Sequence, residues 1–200
     1  MTLTDHLFPS SRIHRKSTWG TCAGLILLSE SANKTKKGGQ DLIGGLDVRV
    51  NRNHFGRQAE SFQAPLNLPF LETNNEDSSS EPNPPFHAVF IRAPVVEKIL
   101  QTRDDIQHDE QGEENIVAPS SHNDTGSQVE ILATLPGRAA KLVSEGVNIS
   151  ADKEAGDIVA VKQGNVFGTS FHPELTQDAR IHSWWLNQVQ DAIKRSKGQQ

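Results

Sequence analysis

Apolar residues fall in short runs, each with its own period, and long polar stretches separate them. From Ala23, "AGLILLSESA" is rich in helix formers and predicts a helix that ends near the turn-prone "NKTKKGG". "LDVRV", Leu46 to Val50, and "RQAESFQAPL", Arg57 to Leu66, predict strands, with "NRNHFG" as the turn between them. "HAVFIRAP" predicts a buried strand that Pro94 ends.

The last third of the chain is more regular. "VEILATLP", "DIVAVKQ" and "VFGTSFH" predict three strands, the second and third joined by Gly164 and Asn165 as a hairpin turn. Asp178 to Lys194 predicts a helix: Ile181, Trp185, Val189 and Ala192 recur at three- to four-residue spacing, and Trp184 and Ile193 widen that face. Strands mixed with helices favour a layered α/β sheet. "RKSTWG", ahead of the cysteine, is polar and predicts only a weak strand.

Two polar stretches interrupt this pattern. Residues 72–85, "ETNNEDSSSEPNPP", have no apolar side chain to bury apart from proline rings and read as a solvated loop. Residues 102–128 carry Asp104, Asp105, Asp109, Glu110, Glu113 and Glu114 and read as a solvated, mobile insertion whose acidity could serve a basic partner. They account for an apolar share of 34%, low for a 200-residue chain that is otherwise long enough for one domain with a core.

A net charge of -5, with no basic cluster interleaved with aromatics, argues against nucleic acid as a partner. No apolar run approaches the roughly 20 residues that span a bilayer, so no membrane role is expected. The N-terminus lacks the apolar core of a signal peptide, and one cysteine cannot form an intramolecular disulfide. Together these favour a cytoplasmic protein. His6, His14, His54, His87, His108, His122 and His182 form no metal-ligand spacing, so no metal site is expected.

The lone cysteine, Cys22, sits in "GTCAG", the cysteine counterpart of the Gly-x-Ser-x-Gly nucleophile elbow. In such an elbow the nucleophile occupies a strained strand-to-helix turn, and Gly20 and Gly24 would let the backbone pass closely. The positive end of the following helix would lower the thiol's pKa. A buried cysteine packing as a small hydrophobe fits the pentapeptide equally well. A nucleophile needs a base and the base an orienter. "SFHPE" offers both: His172 would take the thiol proton and return it to the leaving group, and Glu174 would fix the imidazole's tautomer.

"WGTCAGLILLSE", "RNHFGRQAESF", "FIRAP" and "GTSFHPELTQDARIH" together resemble, in order, the signature blocks of the glutaminase subunits of pyridoxal 5'-phosphate synthase, which are class I glutamine amidotransferases. The resemblance runs from about Trp19 to the C-terminal helix. It implies an α/β three-layer, flavodoxin-like fold, a mixed sheet flanked by helices, in a single glutaminase domain over residues 1–200. It also implies hydrolysis of L-glutamine to glutamate and ammonia through a cysteinyl thioester, with the ammonia channelled to a synthase subunit. Cys22 matches the nucleophile, His172 and Glu174 the other triad members, and Arg52, Ile91 and Arg92 glutamine-contacting positions. The N–H of Ala23 matches an oxyanion donor, and no cofactor is implied.

Family members carry a longer segment ahead of the nucleophile than the 21 residues found here, with the first strands and a Gly-Gly-Glu-Ser loop. The chain is therefore expected to be N-terminally incomplete. The rival expectations are a catalytically impaired relative that only binds or regulates the synthase subunit, and a cysteine hydrolase acting on another amide.

Overall fold

The hairpin at Gly164 and Asn165 is the clearest place to enter the fold. The structure, a computed structural model, describes residues 16–33, 41–52, 61–71, 84–100, 115–118, 127–137 and 155–198. In chain order the elements are β1 (Thr18–Thr21), α1 (Ala23–Leu28), β2 (Ser29–Asn33), β3 (Leu46–Asn51), β4 (Ser61–Leu66) and β5 (Phe86–Ile91). They continue with β6 (Val95–Ile99), β7 (Asn115–Val117), β8 (Glu130–Thr134), β9 (Ile158–Gln163), β10 (Val166–Thr169) and α2 (Arg180–Lys197). The hairpin pairs β9 and β10 antiparallel, Val166 opposite Gln163, as its turn residues predict.

The α/β class holds, and the described strands divide into three sheets. The first runs β1-β10-β9-β8, the second β6-β3-β2-β7, and β4 pairs only with β5. Both four-stranded sheets are mixed: β1 lies parallel to β10 and β2 parallel to β3, with the other pairs antiparallel. A side-chain clasp links the two. Gln163 Oε1 accepts the N–H of Asp47 at 2.7 Å, and its Nε2 donates to Asp47 Oδ2 at 2.6 Å.

Four sequence expectations change. The helix predicted across "AGLILLSESA" stops at Leu28, where the hydroxyl of Ser29 donates to the carbonyl of Ile26 at 2.7 Å. The rest, "SESAN", is β2, buried between β3 and β7 in spite of its polar composition. The 102–128 stretch contains β7, whose Asn115–Val117 pairs antiparallel with Ser31–Asn33, so this part of it belongs to the sheet. "RKSTWG" leads into a real strand: Thr18–Thr21 pairs in register with Val166–Thr169. Residues 53–56 of the turn predicted at "NRNHFG" and most of the 72–85 loop lie outside the described residues, while Asn51 ends β3. Pro94 does not end β5 alone, since the strand closes at Ile91 and β6 begins at Val95.

Two large cores and a small one around Ala32, Leu42 and Ala118 hold these layers. On one side of the first sheet α1 places Leu25 and Leu28 against Leu46, Val48, Val50, Ile158 and Val161. On the other, β5, β10 and α2 bury Phe86, Phe90, Phe167, Phe171 and Ile181. The N-terminal half of the face predicted for α2 is what packs: Ile181 is buried, and Trp184 and Trp185 lie against Phe167 and Trp19, whereas Ile193, expected to widen that face, is exposed near the helix end. Deleting one of these rings would cost about 3–5 kcal/mol. The cores fix β10 between α1 and α2, and both candidate halves of the site hang from its end.

Candidate active site

Cys22 follows the last residue of β1 and precedes the first residue of α1, with φ 49° and ψ -103°. This is the strained strand-to-helix turn the "GTCAG" pattern predicts. The N–H of Cys22 donates to the carbonyl of Thr169, the last residue of β10, at 2.8 Å. Gly20 is required by space: a Cβ there would lie 2.5 Å from the carbonyl carbon of Gly24 and 2.7 Å from Leu28 Cδ1. Gly24 is not required in the same way, because a Cβ on it would meet nothing within 4 Å. What Gly20 approaches is the backbone of residue 24, which any residue there would present.

His172 lies three residues beyond Thr169, so the strand that anchors the cysteine also delivers the imidazole. Its N–H donates to the carbonyl of Val89 in β5 at 2.8 Å, and Pro173–Leu175 forms one 3-10 turn behind it. Within that turn Glu174 Oε1 stands 2.7 Å from His172 Nδ1. This bond assigns the proton to Nδ1 and leaves Nε2 as the basic nitrogen.

The bond from His172 to Val89 brings in β5, whose end carries Ile91 and Arg92. The thiol of Cys22 donates to the carbonyl of Ile91, with sulfur and oxygen 3.8 Å apart. Arg92 has φ 44°, and among the described residues Cys22 and Arg92 are the two non-glycines with positive φ. The site therefore holds both. Cys22, Ala23, Ile91, Arg92, His172 and Glu174 gather at one end of β1, β5 and β10. Arg52 immediately follows β3, in the second sheet, where its N–H donates to Asn33 Oδ1 at 2.7 Å and burial lowers its pKa.

The electrostatics of the thiol differ from the sequence expectation. Burial pushes the Cys22 pKa up, and the Glu174 carboxylate adds to the rise. The N–H of Ala23 and the charge of Arg92 act the other way, without reversing it. The six-residue helix behind the cysteine does not outweigh desolvation. At rest the nucleophile candidate is a thiol, and a base is needed to make it reactive.

Sequence reasoning missed two contributors. Thr169, fully buried, anchors the turn through its carbonyl. Gly168 admits α1, since a Cβ there would lie 2.6 Å from Leu25 Cδ1. The signal for both was present in "VFGTSFH", where a glycine interrupts an apolar strand.

A strained cysteine turn beside a His–Glu pair on an α/β frame matches a known class. A solved structure described as a crystal structure of glutamine amidotransferase superposes with a TM-score of 0.54 and 31% identity, over 92% of this chain and 67% of that one. The chain belongs to the SNO glutamine amidotransferase family, which residues 1–134 and 132–191 match. A probable pyridoxal 5'-phosphate synthase subunit of Arabidopsis thaliana is 37% identical over 195 residues, 93% of this chain and 64% of its own length. The synthase subunit PdxT of Herpetosiphon aurantiacus is 35% identical over 84% of this chain and 60% of its own length. An uncharacterized glutaminase of Schizosaccharomyces pombe is 37% identical over 90% of this chain and 58% of its own. The chain thus spans less than two thirds of these relatives. None of the described helices is long and apolar enough to cross a membrane.

Proposed function

We propose that this chain is the glutaminase subunit of a pyridoxal 5'-phosphate synthase, hydrolysing L-glutamine to glutamate and ammonia. The observation that carries the reading is the shared strand: β10 anchors Cys22 through Thr169 and, three residues on, supplies a histidine paired with a carboxylate. Family membership and the names of the relatives support the choice of glutamine as substrate.

In this reading His172 Nε2 takes the proton of Cys22, and the thiolate attacks the carboxamide carbon. The N–H of Ala23 donates to the oxyanion. Collapse breaks the C–N bond, and the imidazolium returns its proton to the departing ammonia. A water, deprotonated by His172, then attacks the thioester, releasing glutamate and restoring the thiol. Glu174 holds the Nδ1 tautomer throughout and stabilises the imidazolium. Ile91 and Arg92 contact glutamine beside the sulfur, and Arg52 adds a cation that can fork onto the α-carboxylate. Ammonia passes to a synthase subunit in the cytoplasm, and residues 1–200 act as one glutaminase domain.

The test is ammonia release from L-glutamine by the protein with its synthase partner, set against Cys22→Ala. Release that Cys22→Ala abolishes is expected. Absence of release would overturn the reading for this chain in favour of a binding-only role, and release that survives the substitution would remove Cys22 from the chemistry.

A further inference from the structure

We propose that the peptide between Ile91 and Arg92 is a latch on the nucleophile: in the closed state its carbonyl holds the Cys22 thiol, and rotation of that peptide frees it.

The latch rests on two independent observations. First, among the described residues the thiol's hydrogen bond goes to the Ile91 carbonyl and not to the His172 imidazole. A thiol proton directed at that carbonyl is not directed at a base until the bond breaks. Second, Arg92 is a non-glycine residue at φ 44°, a conformation costing roughly 1–2 kcal/mol for an L-residue. Its side chain is exposed, so burial of the guanidinium does not hold it there.

The flanks explain why this one peptide can move. On one side β5 is tied along its length to β4, with Ile91 opposite Ser61, and Val89 is bonded to the backbone of His172. On the other, Ala93 and Pro94 are buried and lead into β6. Rotating a single peptide plane changes ψ of Ile91 and φ of Arg92 in opposite senses and leaves both anchors in place. The rotation takes φ of Arg92 out of the positive range that L-residues avoid and into the negative range. It also turns the Ile91 carbonyl off the sulfur and presents the Arg92 N–H in its place. A donor facing sulfur favours the thiolate, whereas the carbonyl favours the thiol. The closed state is thus strained and unreactive, the open state relaxed and reactive, and a ligand or partner that bonds the rotated peptide shifts the balance. Ile91 and Arg92 act here as positioning residues through their backbone.

The inference rests on the proposed function only in treating Cys22 as the nucleophile, and its test needs no glutamine. Cys22 is the sole cysteine of the chain, so its alkylation by iodoacetamide is read cleanly by mass. Arg92→Ala and Arg92→Gly both remove the guanidinium, and they differ in that glycine occupies φ 44° without strain. The glycine variant stays latched more of the time. Its alkylation at a fixed pH is expected to be roughly 5–30-fold slower than that of the alanine variant. Equal rates, or a faster glycine variant, would overturn the latch while leaving the glutaminase reading intact. Should either variant fail to fold, the S–H stretch of the unaltered protein, assigned by difference from Cys22→Ser, decides the matter. A band shifted to the hydrogen-bonded position supports the latch, and one at the free-thiol position overturns it.

Discussion

His172 Nδ1 and Glu174 Oε1 lie 2.7 Å apart, and the same carboxylate raises the pKa of the Cys22 thiol. One charge therefore has opposite effects on the two halves of the site. In Glu174→Gln the amide oxygen can still accept from Nδ1, but the negative charge is gone. Loss of imidazolium stabilisation lowers kcat for glutamine, by about 10–100-fold. Relief of the repulsion speeds alkylation of Cys22 at a fixed neutral pH. Measuring both on one preparation checks the assignment. If kcat and alkylation fall together, Glu174 has a purely structural role.

Gly20 and Gly24 look equivalent in "GTCAG", and the structure separates them. Gly20→Ala drives a Cβ to 2.5 Å from backbone at Gly24, where no flexible side chain can give way. The variant is expected to lose about 1–3 kcal/mol in chemical denaturation and to distort the turn at Cys22. Gly24→Ala meets nothing within 4 Å inside α1 and is expected to gain about 0.5–1 kcal/mol. The opposite signs are the prediction, and equal losses would contradict the tight crossing of β1 and α1.

Glu30, buried in β2, accepts the N–H of Gly45 at 2.9 Å, while a Cβ on neighbouring Gly44, at φ 82°, would sit 2.7 Å from its carboxylate. Burial raises its pKa to about 7 from an ordinary 4.5, with Asp47 adding a smaller push. Below 4.5 the group is protonated in both folded and unfolded chains. Between 4.5 and 7 the unfolded chain releases its proton and the folded one retains it, so stability falls as pH rises through that window. The loss amounts to about 3 kcal/mol, complete just above pH 7. Glu30→Gln keeps the acceptor for Gly45 and is expected to remove this component. The gap in urea midpoint between variant and parent should grow from pH 4.5 to pH 8, and a gap that does not change with pH would contradict it.

Much of the site could be read from the chain because its chemistry is local. "GTCAG" encodes the turn at Cys22, and "SFHPE" encodes a His–Glu pair closed within one 3-10 turn. The β9–β10 hairpin and the packed face of α2 were legible for the same reason: turn residues and periodicity act over a few positions. β2 was not, because Ser29 and Glu30 read as polar, while in the fold the Ser29 hydroxyl donates to the Ile26 carbonyl and Glu30 accepts the N–H groups of Gly45 and Ala118. β7 was hidden similarly, its three residues gaining strand character from partners some 80 positions away. The thiol's raised pKa was out of reach of any motif, since desolvation depends on what packs around Cys22.

Asp178 opposes Glu30 in its dependence on acid. Its carboxylate accepts the Arg180 N–H at 3.0 Å, and it pairs with the guanidinium, Nη2 to Oδ2 at 2.6 Å. Arg180 Nη1 then donates to the carbonyl of Pro84 at 2.9 Å, so the pair ties the first turn of α2 to the segment entering β5. The hydrogen bonds from Arg180 hold the Asp178 carboxyl below its ordinary 3.8. A depressed acid contributes stability that is present above 3.8 and lost as pH falls through the lower folded value. Asp178→Ala is expected to cost about 1–2 kcal/mol at neutral pH, from the lost bond to the helix N-terminus and the orphaned guanidinium. The deficit should shrink toward zero in strong acid, where the parent has lost the same interaction. Thermal melts of both proteins across that range check it, and a deficit independent of pH would show that packing, not the charge, is what Asp178 provides.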